Sequence, residues 1–135
     1  MNIKVKNILY QLPAIQWAIL ILLLSIGDAN STFDWDILGI KSDKFYHLIF
    51  YFILMYLAIL GYSKAIEPGG VSIRGMILLF VICIVWGVMI EQLQLSMNNG
   101  RQFELGDILV NAIGCLLCLL LIIIRLILGK KIAII

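Results

Sequence analysis

The sequence predicts an all-α integral membrane protein, a bundle of four transmembrane helices. Hydrophobic residues make up 63% of the chain and charged residues only 13%, whereas about a quarter of the residues of a soluble domain are charged. In addition, four apolar segments reach the length of about 20 residues that a helix needs to cross a bilayer. We therefore expect one transmembrane domain that covers residues 1–135.

The four apolar segments follow one another along the chain with polar connections between them. Their expected bounds are 8–26, 43–62, 75–97 and 105–128. Pro13 lies near the expected start of the first segment, where its missing N–H is tolerated. The connection between the second and third segments contains Glu67-Pro68-Gly69-Gly70, a composition typical of a turn. The chain is therefore expected to cross the membrane four times.

The basic residues predict which side of the membrane each connection faces, because cytoplasmic connections carry an excess of Lys and Arg. Four spans place seven basic residues on the side of both termini and three on the other side. The seven are Lys4, Lys6, Lys64, Arg74, Arg125, Lys130 and Lys131, and the three are Lys41, Lys44 and Arg101. We therefore expect a multi-pass protein of the cytoplasmic (inner) membrane with both termini in the cytoplasm.

Charge and cysteine usage argue against two other classes of function. The net charge of +2 is too small to indicate nucleic-acid binding. Cys83, Cys115 and Cys118 lie in apolar runs without the paired polar spacing of a zinc site. We therefore interpret the three cysteines as small buried hydrophobic residues.

Polar residues recur at helical spacing near one end of three of the apolar segments. Residues three or four positions apart share one face of a helix, so each set forms a stripe. Ionisable residues within a membrane span are costly and therefore indicate a functional site. By segment, the stripes are Asp43, His47 and Tyr51; Gly87, Glu91 and Gln94; and Asp107, Asn111 and Gly114.

The three stripes are expected to meet at one depth, in the outer leaflet. His47 and Asn111 each lie about 6 Å, one helical turn, below the outer end of their helix, and Glu91 lies between one and two turns below its own. Lys44 and Arg101 add positive charge at this level. The N-termini of the second and fourth helices also favour anions. The expected site therefore faces the extracytoplasmic side of the membrane.

At these residues the chain resembles the VanZ-like membrane proteins. The family pattern reads DK-x-x-H, then G-x-x-x-E-x-x-Q, then R, then D-x-x-x-N-x-x-G, and every element occurs here in that order. The resemblance covers residues from about 40 to about 120. The matching residues are Asp43-Lys44-Phe45-Tyr46-His47 with Tyr51, Gly87-Val88-Met89-Ile90-Glu91-Gln92-Leu93-Gln94, Arg101, and Gly106-Asp107-Ile108-Leu109-Val110-Asn111-Ala112-Ile113-Gly114.

The resemblance implies a four-helix membrane fold and a setting in the bacterial cell envelope. The founding member of the family is known for low-level resistance to the glycopeptide antibiotic teicoplanin. The resemblance implies no reaction, so the chemistry has to be argued from the residues of this chain.

The first functional hypothesis is an enzyme that acts on the anionic headgroup of a lipid or lipid-linked cell-wall precursor. In this hypothesis His47, Glu91 and Asp107 are the catalytic residues, with His47 or Glu91 as general acid or base. A divalent cation such as Mg²⁺, held by Asp43, Glu91 and Asp107, is a further expectation, because Mg²⁺ favours oxygen ligands. The expected substrate-binding residues are Lys44, Tyr51, Gln94, Arg101 and Asn111.

Two other functions remain open at the level of sequence. The same residues could belong to a non-catalytic binding or accessory protein for a lipid, an antibiotic or an envelope partner. A small transporter is the third alternative, although the inner halves of the helices are apolar.

The polar residues also have purely structural interpretations. Asp43 and Asp107 could be helix N-caps. Glu91 and Arg101 could form an ion pair that only clamps the fold.

Cysteine labelling tests the expected topology. We expect Ser31→Cys to react with a membrane-impermeant maleimide applied from outside the cell, and Gly70→Cys to react only after the membrane is opened. The unaltered chain, with its three cysteines in apolar runs, is the control for background reaction. Labelling of Gly70→Cys from outside would contradict the predicted orientation.

Overall fold

The computed structural model describes residues 3–26, 36–37, 40–65, 71–97 and 103–129. Within these ranges the chain forms four long helices, α1 (Ile3–Ser25), α2 (Ser42–Ala65), α3 (Ile73–Ser96) and α4 (Leu105–Ile127). A two-residue strand, β1 (Asp36–Ile37), pairs antiparallel with β2 (Ile40–Lys41) just before α2. Each helix is long and apolar enough to cross a membrane. The predicted all-α bundle of four membrane helices is therefore confirmed.

The helix bounds differ from the expected ones mainly at the beginning of α1. This helix begins at Ile3 rather than near residue 8, so Pro13 lies in its interior and not near its start. Because proline has no N–H, the carbonyl of Leu9 cannot receive the usual helical hydrogen bond from residue 13. The apolar span within α1 is nevertheless long enough to cross a bilayer, at Asn7–Ser25.

The helix α2 is the centre of the bundle, since it packs against each of the other three helices and most extensively against α4. On the α1 side, the indole Nε1 of Trp17 donates a hydrogen bond to the carbonyl of Phe50 at 3.0 Å. The two rings also meet edge to face, with centroids 6.0 Å apart. The ring contact and the hydrogen bond together fix α1 against α2.

The interior of the bundle is apolar through most of its length. Met55, Ile59, Cys115 and Cys118 are at most 1% exposed. The three cysteines are unpaired and buried, as small hydrophobic residues are. Large apolar side chains such as Leu109 and Ile127 cover the outer surface, which suits contact with lipid hydrocarbon.

A glycine allows α4 to approach α2 very closely. A Cβ atom on Gly114 would collide with the backbone carbonyl oxygen of Leu48 and would lie 3.2 Å from the amide nitrogen of Phe52. Small residues at such crossings let two membrane helices pack backbone against backbone. Gly114 therefore sets the distance between the two helices that carry most of the polar residues.

Replacement of Gly114 by alanine tests this contact. We expect Gly114→Ala to lower the free energy of unfolding in detergent by about 1–3 kcal/mol, because the added methyl group forces the helices apart. Without that collision, alanine in a helix would be stabilising. The control is Leu109→Ala on the lipid-facing side of α4, where the side chain is 64% exposed. A gain in stability for Gly114→Ala would contradict the close approach.

Candidate functional site

Six polar side chains gather at the end of the bundle where α2 and α4 begin and α3 ends. We call this group the polar cluster. Residues from all three helices, together with one residue that immediately precedes α4, contribute to it. Its members are Lys44, His47, Glu91, Glu104, Asp107 and Asn111.

Lys44 joins α2 to α4 through two carboxylates. Its Nζ lies 2.9 Å from Oδ1 of Asp107 and 3.0 Å from Oε2 of Glu104. The Asp107 side chain is only 9% exposed, whereas that of Glu104 is 47% exposed. The bond to Asp107 is therefore the stronger one, since water screens an exposed ion pair.

Asn111 fixes the orientation and the tautomer of the His47 ring. His47 Nδ1 lies 3.0 Å from Oδ1 of Asn111. Because a carboxamide oxygen only accepts hydrogen bonds, Nδ1 carries the proton and donates it. In the neutral ring, Nε2 therefore presents a lone pair. This atom lies 4.0 Å from Oδ2 of Asp107, which is too far for a hydrogen bond.

Glu91 brings a carboxylate from α3 into the bundle interior. The residue is 1% exposed. Its Oε2 accepts a long hydrogen bond, 3.4 Å, from the backbone N–H of Glu104. Its Oε1 is buried and receives no hydrogen bond from the residues that the structure describes. A buried charge without a full set of partners is costly, so this carboxyl group is suited to bind a proton or a cation.

The side chains of His47, Glu91 and Asp107 converge on one point. Each offers one nitrogen or oxygen atom within 4.8 Å of those offered by the other two. The three residues come from three different helices. The expected catalytic residues are therefore brought together by the fold.

The lack of a side chain at Gly87 lets α3 pack closely against Asn111 and Tyr51. A Cβ atom there would lie 2.9 Å from Nδ2 of Asn111 and 3.1 Å from the hydroxyl oxygen of Tyr51. The absence of a side chain lets these two polar groups lie directly against α3. Tyr51 is 1% exposed and lies one turn deeper along α2 than His47. Its backbone carbonyl accepts a 3.6 Å contact from the thiol of Cys115.

Gln94 is placed in a different contact from the one expected. Its Nε2 donates a 2.8 Å hydrogen bond to the backbone carbonyl of Ser25 at the end of α1. The acceptor is the last carbonyl of α1. Gln94 thus ties α3 to α1, and no hydrogen bond joins it to the polar cluster among the residues described.

Of two further expected residues, Asp43 falls outside the converging group and Arg101 lies outside the residues that the structure describes. Asp43 does not belong to the set of ligand atoms formed by His47, Glu91 and Asp107. Its Oδ1 is buried without a hydrogen bond from any residue that the structure describes. Arg101 lies outside the described residues, so its expected ion pair with Glu91 remains a prediction.

The N-cap interpretation of the two aspartates is wrong. The N-cap residue of α4 is Glu104, whose side chain makes no capping bond, and Asp107 lies inside the first turn. Likewise α2 begins at Ser42, which leaves Asp43 in its first turn. Negative side chains in a first turn still interact favourably with the helix dipole.

Glu104 is a member of the cluster that was not among the expected site residues. It immediately precedes α4 and continues the stripe of Asp107, Asn111 and Gly114 by one step of three residues. The signal available in the sequence is its position, an acidic residue three places before Asp107. Both its side chain, toward Lys44, and its N–H, toward Glu91, contribute to the site.

Comparisons of the chain with protein-family models, with curated protein sequences and with solved structures find no match in any of the three. The site therefore has to be interpreted from its own geometry.

The contributions of the two ion pairs of Lys44 to the free energy of unfolding can be compared. We expect Lys44→Met to lower the free energy of unfolding by about 1–3 kcal/mol, because it removes the partner of the nearly buried Asp107 carboxylate. Glu104→Gln, which removes the exposed partner, should cost less than about 1 kcal/mol. Chemical denaturation in detergent measures both. Because Lys44→Met removes both ion pairs, equal losses would show that the pair with Asp107 adds no stability to the pair with Glu104.

Proposed function

We propose that the polar cluster binds the anionic headgroup of a membrane lipid or lipid-linked cell-wall precursor, and that the chain is an enzyme acting on that headgroup. The observation that supports this most directly is the convergence of His47, Glu91 and Asp107 within 4.8 Å. These groups exchange protons readily, and they lie in a chain whose other buried residues are mostly apolar.

The proposal of an anionic ligand rests on the positive groups around the site. Lys44 contributes an ammonium on a side chain that is still 27% exposed, and the N-termini of α2 and α4 add the positive ends of two helix dipoles. Arg101 is expected to add a second formal charge. The carboxylates of Glu91 and Asp107 would repel a bare phosphate, so the headgroup should also carry hydroxyl or amine donors for them.

The depth of the site favours a lipid over a soluble molecule. His47 lies five residues after the beginning of α2, which corresponds to about 8 Å along the helix axis. A ligand at this depth can keep its hydrocarbon tails in the bilayer while its headgroup reaches the cluster. In this proposal the polar end of the bundle faces the extracytoplasmic side, as the distribution of basic residues predicts.

The proposed acid–base chemistry is centred on His47. Its Nδ1 proton is held by Asn111, so the lone pair of Nε2 is free to take a proton from a substrate hydroxyl or from water. Asp107 lies 4.0 Å from that atom and can stabilise the imidazolium that forms. Glu91 is the second group that can accept or return a proton.

A non-catalytic binding protein is the second candidate, because the hydroxyl of Ser96 lacks the activation that a catalytic nucleophile needs. This hydroxyl donates at 2.7 Å to the carbonyl of Leu93 in its own helix, so it is not activated as a nucleophile.

The transporter alternative would need a polar path, whereas the bundle beyond the cluster is lined by residues such as Met55 and Ile122. We also propose that the chain is a member of the VanZ-like family and has a role in glycopeptide resistance.

Native mass spectrometry of the purified protein tests the anionic ligand. We expect the wild type to retain anionic phospholipid or polyprenyl phosphate, and Arg101→Ala to lose it, because the expected second cation of the site is removed. The matched control is Arg74→Ala, at the opposite end of the bundle where α3 begins, which should retain lipid like the wild type. Equal retention by all three proteins, or a preference for zwitterionic lipid, would remove the case for an anion site.

A further inference from the structure

The geometry around His47, Glu91 and Asp107 matches the requirements of a metal site. Nε2 of His47 and Oδ2 of Asp107 are 4.0 Å apart, beyond hydrogen-bond distance. One ligand atom of Glu91 completes a set whose members all lie within 4.8 Å of one another. Ligands about 2.0–2.2 Å from a shared tetrahedral ion lie roughly 3.3–3.6 Å apart, so side-chain shifts of about 1 Å or less would bring the three atoms into range of one ion.

Each of the three side chains has a second contact that orients it toward the common point. Asn111 holds Nδ1 of His47, Lys44 holds Oδ1 of Asp107, and the backbone N–H of Glu104 holds Oε2 of Glu91. In metal sites the ligating histidine donates its other ring N–H to an oxygen, and ligating carboxylates are hydrogen-bonded in turn. The cluster therefore has the outer contacts of a metal site as well as the ligands.

The unpartnered oxygen of Glu91 points independently to a ligand. Glu91 is 1% exposed, and its Oε1 receives no hydrogen bond from the described part of the chain. In the same region the described residues provide three carboxylates, those of Glu91, Glu104 and Asp107, and one ammonium, that of Lys44, which pairs with Glu104 and Asp107. When all are ionised, two negative charges are in excess, which a divalent cation would neutralise.

We infer that the polar cluster binds one divalent transition-metal ion of the zinc class through His47 Nε2, Glu91 and Asp107. Three protein ligands leave a coordination position open, the arrangement found in catalytic rather than structural zinc sites. The imidazole nitrogen distinguishes this site from the oxygen-only Mg²⁺ site expected with Asp43, because nitrogen ligands favour zinc and its neighbours over magnesium. The inference concerns the lipid-free protein and does not depend on the proposed lipid ligand. With a metal bound, Nε2 of His47 would be a ligand, so the acid–base role proposed for that atom applies to the metal-free site.

Calorimetric titration of delipidated, chelator-stripped protein with ZnCl₂ tests the inference. We expect one Zn²⁺ per chain, bound in preference to Mg²⁺. His47→Gln and Glu91→Gln should abolish this binding, and Asn111→Ala should weaken it by about 10- to 100-fold, as loss of an outer contact does. The matched control is Asp43→Asn, which should bind Zn²⁺ like the wild type because Asp43 is not in the ligand set.

Two results would overturn the inference. One is Zn²⁺ binding that is unchanged in His47→Gln and Glu91→Gln, both shown to be folded by circular dichroism. The other is a wild type that binds no Zn²⁺, or that binds Mg²⁺ equally well. A spectroscopic measurement on the wild type makes the test independent of variant folding: with Cu²⁺ as probe, we expect hyperfine coupling to one imidazole nitrogen, and its absence would exclude His47 as a ligand.

Discussion

The close packing of α2 against α4 determines where the charged side chains of this protein meet. Gly114 lets the two backbones come into direct contact at Leu48, and one to two turns away along the same interface Lys44 meets Asp107 and His47 meets Asn111. A larger residue at the crossing would push the two backbones apart and lengthen these polar contacts. The polar contacts therefore depend on the apolar packing beneath them, and both lie on the same pair of helices.

The third helix supplies what this pair lacks, a carboxylate in the interior. Glu91 enters from α3, and among the described residues its carboxylate accepts one long hydrogen bond, from the backbone N–H of Glu104. Glu104, in the connection before α4, therefore helps to position Glu91 of α3. The side chain of Glu104 also contacts Lys44 of α2. Three helices and one connecting segment meet at a single group of atoms, whereas α1 is tied to the bundle elsewhere, through Trp17 and Gln94.

The polar side chains of the interior are concentrated at one end of the bundle. One end of the bundle holds buried carboxylates, an imidazole and an ammonium, and the rest of the interior consists of residues such as Met55, Ile59 and Cys118. Buried charge in a membrane protein is stable only where it is paired, hydrogen-bonded or bound to an ion. The cluster keeps one carboxylate oxygen without a partner among the described residues. In the same part of the chain, the buried residues beyond the cluster are apolar side chains such as Met55 and Ile122.

The sequence by itself determined the four membrane helices and most of the residues of the site. Apolar length predicts the helices, and helical spacing places His47, Glu91, Asp107 and Asn111 on faces that can meet. Spacing defines a face only around the axis of its own helix, however, and not how each helix is rotated against its neighbours. The tertiary structure alone decided that Gln94 turns to Ser25 on α1, that His47 rather than Asp43 joins Glu91 and Asp107, and that Glu104, which precedes α4, contacts Lys44 and completes the cluster.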